Sequence, residues 1–167
     1  MITLGIDPGT AITGYGIINE EQDGHLNLLD FGVIRTSADQ SHADRLVQLY
    51  RRIKELILLH RPEMGAVEKL FFERNVRTAL NVGQARGVAL LAMAEFGIRI
   101  GEYTPMEIKQ AVAGYGGADK NQVQQMVKAI LELDTVPQPD DAADALAVAI
   151  CHIHSVKMRN LYDENAP

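Results

Sequence analysis

Four acidic residues stand where solvation alone does not account for them: Asp7, Glu68, Asp141 and Asp144. Asp7 closes the apolar alternation Ile2-Thr3-Leu4-Gly5-Ile6, and Glu68 interrupts Gly65-Ala66-Val67-Glu68-Lys69-Leu70, where a central strand ordinarily carries a hydrophobe. Burying such charges unpaired is costly. Asp141 and Asp144 are three apart and lead into Ala145-Leu146-Ala147-Val148-Ala149-Ile150, so on a helix they share one face of its first turn. Four carboxylates in one place would raise some of one another's pKa values and destabilise the fold unless cations lay between them. Hard oxygen ligands select Mg²⁺ or Mn²⁺ over zinc. Two such ions about 3.5–4 Å apart activate a water and stabilise the leaving oxygen of an in-line phosphodiester displacement, which needs no nucleophilic side chain. Blander readings exist: Asp7 before Pro8-Gly9 suits a turn cap, and Asp141 suits a helix N-cap. For Glu68 and Asp144 no comparable structural purpose is evident. Pattern alone leaves joint metal binding and separate local roles both open.

The elements that must position these acids are legible. Ile2 to Asp7 alternates as a strand, Pro8-Gly9-Thr10 is turn chemistry, and Thr13 to Ile18 returns as a second strand. Leu28 to Ile34 supplies a third, which makes an antiparallel meander. Ser41 suits an N-cap, and Leu46, Leu49, Ile53 and Leu56 recur at helical spacing until Pro62. A short buried strand over 65–70, a helix over about 76–96 and a strand over 98–103 follow. Helices over 105–112 and 119–133 flank the loop Gly114-Tyr115-Gly116-Gly117, and a last helix begins near Asp141. Three strands followed by strands alternating with helices predict an α/β layer structure with a mixed sheet. The expected organisation is one domain over 1–160 and a short flexible tail over 161–167, whose last residues, Asp163 to Pro167, read as frayed.

At 167 residues, 47% hydrophobic and 23% charged, the chain suits one domain with a real core. No run reaches the roughly 18 apolar residues of a membrane span, and Met1 to Gly5 enters a strand pattern with no basic leader, so the expectation is a cytoplasmic protein without membrane contact. The lone Cys151 lies in an apolar run and fits a buried thiol. A net charge of −6 argues against a nucleic-acid partner, yet residues 69–128 carry a local +3, with eight Lys or Arg against five acids. Bound dications would offset part of the remaining acidity.

With these residues in view, the chain resembles the RuvC Holliday junction resolvases, nucleases of ribonuclease H-like fold. The resemblance spans nearly the whole chain. It rests on Gly5-Ile6-Asp7-Pro8-Gly9 with Thr13-Gly14-Tyr15-Gly16, on Glu68 followed by Phe71, on Gly83-Gln84-Ala85-Arg86-Gly87, on Gly116-Gly117-Ala118-Asp119-Lys120, and on Asp141-Ala142-Ala143-Asp144-Ala145-Leu146. It implies a mixed five-stranded sheet, a three-strand antiparallel meander plus parallel strands, flanked by helices. It implies that Asp7, Glu68, Asp141 and Asp144 hold two Mg²⁺ ions, with Mn²⁺ able to substitute, although the family pattern also admits His at position 141. It further implies nicks in two opposed strands of four-way junction DNA with 5′-phosphate and 3′-hydroxyl ends, a homodimer, and partnership with the branch-migration proteins RuvA and RuvB.

The same resemblance makes Lys109 and Lys120 groups that contact phosphate and assist the cut, and places Phe71 or Phe72 at the junction crossover, with Arg74 beside them on DNA. Lys120 has independent support. It falls in the first turn of a helix capped by Asp119 with Gln122 three residues on, where a cation opposes the helix dipole by roughly 0.3–1 kcal/mol. A local rule broken without visible compensation marks a functional site. For Lys109 a solvated surface role stays open, as does a core role for Phe71, whose stacking on an unpaired base would be worth about 1–3 kcal/mol. Gly83 and Gly87 share a helix face and suit either internal packing or a dimer contact. His152 and His154, two apart, fall on different helix faces and are not read as ligands. Two rival readings are open: a junction-binding module with a degenerate site, disfavoured because all four acids are present, and a phosphotransferase, since Gly5-Ile6-Asp7-Pro8-Gly9-Thr10 also resembles the first phosphate loop of actin and sugar-kinase ATPases. Against it, the chain is short for two lobes and shows no second Asp-x-Gly loop.

Overall fold

The structure, a computed structural model, describes residues 1–69 and 76–164, with 76–78 and 160–164 as backbone only. Strands β1 (Ile2–Asp7), β2 (Ile12–Glu20) and β3 (Leu26–Arg35) are followed by α1 (His42–His60), β4 (Met64–Glu68), α2 (Val76–Glu95) and β5 (Arg99–Tyr103). Helices α3 (Pro105–Ala113), α4 (Lys120–Ile130) and α5 (Asp140–Glu164) complete the chain. The five strands form one sheet in the order β3-β2-β1-β4-β5. β1, β2 and β3 pair antiparallel as the meander predicts, and β4 joins β1 and β5 in parallel. The expected mixed five-stranded sheet is therefore the sheet observed. Among the described residues no helix is long and apolar enough to cross a membrane.

Local sequence accounts for most element ends. Ser41 caps α1 by accepting from the Asp44 N–H at 3.2 Å, and Arg61, in the left-handed region at φ 50°, closes the helix just before Pro62. Leu49, Ile53 and Ile57 form the buried stripe of α1, while Leu56 is only half-buried. Strand β4 is shorter than its apolar pattern suggests and ends at Glu68, which is therefore a strand-end residue and not a mid-strand one. Helix α5 continues through 161–164, residues expected to belong to the tail.

The sheet separates two apolar layers. Leu4, Ile6, Ile17 and Val67 pack with α1 and α2 on one face, whereas Ala66, Tyr103 and Ile18 pack with α3, α4 and α5 on the other. Side chains alternate across a strand, so with Ile6 and Val67 committed to the α1–α2 face, Asp7 and Glu68 must point to the α5 face. Helix α5 is buried nearly all round from Ala142 to Ile153, the signature of a central helix.

Its close approach depends on strand glycines. A Cβ on Gly5 would lie 2.2 Å from the Ala145 carbonyl oxygen, one on Gly14 would lie 1.9 Å from that of Asp141, and one on Gly16 would meet Leu146 Cδ2 at 2.6 Å. Gly14→Ala is expected to lower the thermal midpoint, with a cost of about 1–3 kcal/mol or more, because backbone cannot yield as a side chain can. Gly16→Ala, which meets chiefly a leucine side chain, should cost less. Thermal denaturation of the two variants measures the difference, and the reverse order would show that α5 is not seated by Gly14.

Candidate active site

Asp7 and Glu68 are the last residues of two adjacent parallel strands, β1 and β4, held in register with Ile6 opposite Val67. The carboxyl ends of parallel strands are where open α/β sheets build their sites. Beyond Asp7 the chain turns through Pro8 to Ala11, braced by the Thr13 hydroxyl, which donates to the Gly9 carbonyl at 2.5 Å and accepts from its N–H at 3.3 Å. The Thr10 hydroxyl ties the same turn to α2 by donating to the Asn81 carbonyl at 2.8 Å.

Asp141 and Asp144 enter from α5. Asp141 lies inside the first turn, since α5 starts at Asp140 and the Ala142 N–H already donates to the Pro139 carbonyl at 2.9 Å. The N-cap reading of Asp141 is therefore replaced by a first-turn position, its backbone seated on Gly14.

Burial and neighbouring charges perturb three of the four acids. Asp7 is pushed up to about 7, first by burial and then by the charges of Glu68, Asp144 and Asp141. Glu68 is also raised, by burial and then by Asp144, with the Lys109 charge partly offsetting them. Asp144 is raised by burial despite its contact with Lys120, so the cost of desolvation outweighs the ion pair. Among the described residues no three of these side chains close within ligand reach of one point. They share a region, and within it Lys120 pairs with Asp144.

Both predicted lysines face this region. Lys109 on α3 and Lys120 on α4 line a cleft of about 200 Å³ with Glu68 and Asp144, floored by Ile108, Val123 and Val148. Lys120 opens α4 under a complete capping box: the Gln122 N–H donates to Asp119 Oδ1 and the Asp119 N–H to Gln122 Oε1, both at 2.9 Å. Its ammonium donates to Asp144 Oδ2 at 3.0 Å and pairs with Asp140 Oδ2 at 3.3 Å. Burial would lower the pKa of Lys120, but these two carboxylates raise it.

Asp140 is a member of the site that sequence reasoning passed over. The adjacent pair Asp140-Asp141 was the available signal, but only the fold shows that Asp140 reaches Lys120. The strand glycines Gly5, Gly14 and Gly16 were noted only as motif residues, yet they determine how close α5 comes. Phe71, Phe72 and Arg74 lie outside the described residues. Among the described residues nothing lies within 4 Å of a Cβ added at Gly87, so close packing against them does not explain it. His152 is a core residue: its Nδ1 hydrogen-bonds the Tyr103 hydroxyl at 2.8 Å, and burial pushes its pKa down to about 4. Cys151 is buried with its thiol pushed up to about 12.

The family model for crossover junction endodeoxyribonuclease RuvC matches residues 3–152. A crossover junction endodeoxyribonuclease RuvC of Chloroflexus aurantiacus is 59% identical over 155 residues, covering 93% of this chain and 94% of that one. The chain belongs to the RuvC family. It is thereby an endodeoxyribonuclease of crossover junctions, in a family of metal-dependent nucleases. The solved Thermus thermophilus RuvC superposes with a TM-score of 0.89 at 39% identity, covering 95% of this chain and 97% of that one. The same species' RuvC in complex with Holliday junction substrate gives 0.87 at 37% identity, covering 95% and 96%. The kinase-like reading of the first turn is set aside by this membership.

The donor set fits a hard divalent cation: four carboxyl groups, partly desolvated, with no sulfur or imidazole among them. A folded-state acid whose pKa is raised holds a proton that the unfolded chain has released, so between about 3.8 and about 7 Asp7 makes the fold less stable as pH rises. In chelator, the thermal midpoint of the wild type should fall from about pH 4 to about pH 7, with a slope of at most ~1.4 kcal/mol per pH unit from this one group. Asp7→Asn should flatten that slope, and added Mg²⁺ should raise the wild-type midpoint at the upper pH. A midpoint indifferent to both pH and Mg²⁺ would contradict a strained carboxylate cluster.

Proposed function

We propose that this chain resolves Holliday junctions in the cytoplasm by hydrolysing phosphodiesters in two opposed strands, with Asp7, Glu68, Asp141 and Asp144 holding two Mg²⁺ ions that Mn²⁺ can replace. The observation that carries this reading is geometric: Asp7 and Glu68 end adjacent parallel strands beside the first turn of α5, and Glu68, Asp144, Lys109 and Lys120 line one cleft. When bound, the ions supply activation of the attacking water and stabilisation of the leaving 3′ oxygen, which gives 5′-phosphate and 3′-hydroxyl ends. Lys120 lines the cleft and pairs with Asp144, and an arriving phosphate competes with Asp144 for its ammonium. That exchange frees Asp144 for its ligand role and leaves Asp140 to keep Lys120 at the cleft wall. Lys109, which lines the same cleft as Glu68, contacts phosphate. Phe71, with Phe72 next to it, acts at the crossover, and Arg74 contacts the adjacent backbone. One nuclease domain over 1–160 carries all these groups.

A homodimer places two equivalent sites on a substrate of approximate two-fold symmetry. Supporting it, α2 carries an exposed stripe at helical spacing, Leu80 at 61% and Leu91 at 62% exposure with Gly87 open between them. A second copy of this chain is the occupant argued for. RuvA and RuvB are proposed partners on the family resemblance.

The test is a synthetic four-way junction with Mg²⁺, on which the wild type should give paired nicks in opposed strands that a ligase reseals. Glu68→Gln should abolish cutting while junction binding persists, and Leu91→Asp should give a monomer whose nicks are unpaired. Full cutting by Glu68→Gln would refute the ligand assignment, and a Leu91→Asp dimer with paired nicks would refute the α2 interface.

A further inference from the structure

Arg86 is the charged residue of the motif Gly83-Gln84-Ala85-Arg86-Gly87. It sits in the middle of α2, on the sheet face opposite the four acids, and its side chain is only 20% exposed. Its Nε–H donates to the main-chain carbonyl of Glu68 at 3.2 Å, and its guanidinium also pairs with the Glu102 carboxylate of β5. Glu102 is opposite Val67 in the β4–β5 register, so both side chains lie on the α2 face.

That carbonyl has an unusual need. The Lys69 N–H donates toward β5, to the Tyr103 carbonyl at 2.7 Å. In a trans peptide the C=O and the following N–H point in opposite directions, so the Glu68 carbonyl faces β1. After Asp7, β1 offers Pro8, which has no N–H to donate. The carbonyl at the end of the ladder has no strand donor, and Arg86 supplies one from behind the sheet.

We propose that Arg86, held by Glu102, is a positioning residue for the nuclease reaction: it fixes the last peptide of β4 and so the direction in which the Glu68 carboxylate leaves the strand toward α5. This rests on Glu68 being a metal ligand. A charge-assisted bond at the backbone of a ligand orients it as an outer-shell partner does, and loss of such partners typically costs about 10- to 100-fold in metal affinity or activity.

The experiment compares wild type, Arg86→Met, Arg86→Lys, Glu102→Gln and Glu68→Gln in three measurements: Mn²⁺ affinity by calorimetry, junction affinity in chelator, and the rate of junction cutting against Mg²⁺ concentration. Arg86→Met should weaken Mn²⁺ binding and raise the Mg²⁺ needed for half-maximal cutting by about tenfold or more, with junction affinity little changed. Arg86→Lys, which keeps one donor, should recover part of the loss, and Glu102→Gln should shift the Mg²⁺ requirement in the same direction by less. Unaltered Mn²⁺ affinity and Mg²⁺ requirement in folded Arg86→Met would overturn the proposal, leaving only a structural tie. Lost junction affinity with an unaltered metal requirement would overturn it in favour of a DNA contact. Should Arg86→Met not fold, the Mg²⁺ requirement of Glu102→Gln decides, and no shift there overturns it. Cutting by Glu68→Gln would instead show that the ligand assignment beneath the proposal is wrong.

Discussion

Helix α5 lies against the sheet at backbone contact, and the site exists because of that contact. Where an ordinary helix rides on side chains, α5 meets Gly5 on β1 and Gly14 and Gly16 on β2. Strand glycines cost packing and backbone entropy, and they recur where another backbone must come near. Here the nearness carries Asp141 and Asp144 to the carboxyl ends of β1 and β4. The strands contribute the other half through their pleat: committing Ile6 and Val67 to one apolar layer turns Asp7 and Glu68 to the other.

The result is a local conflict built into a stable frame. Burial and proximity raise Asp7, Glu68 and Asp144, so each carboxylate would be better solvated elsewhere. The four acids belong to neither apolar core, among the described residues. Lys120 relieves part of the strain through Asp144, and a divalent cation would relieve more. A group that is uncomfortable in the free protein and satisfied by its ligand is poised for binding. The pattern also reconciles an acidic chain with a polyanionic substrate, because the acids near the cleft act as metal ligands while Lys109 and Lys120 form its walls.

Much of this was legible in the sequence where the signal is local. Period-two alternation marked β1 and β2, the Ser41 and Asp119 caps lie where their side-chain chemistry puts them, and the four acids stood out against apolar surroundings. What local patterns did not show depends on long-range contact. Glu68 read as a mid-strand residue because the apolar run continues past it, yet the strand ends there. Gly14 and Gly16 gave no hint of their purpose until α5, more than a hundred residues later, came to rest on them. Asp140 drew no reading from the sequence, because its partner Lys120 comes from α4, twenty residues earlier in the chain. Arg86 is the same kind of case, since its acceptor is a main-chain atom that no side-chain pattern reveals.

The most direct measurement is anomalous diffraction from crystals of the protein soaked in Mn²⁺. Manganese within coordinating distance of Asp7, Glu68 and Asp144, with Lys120 displaced from Asp144, is the expected result. Well-ordered carboxylates with no manganese beside them, or manganese bound only elsewhere on the surface, would contradict a metal centre at the strand ends.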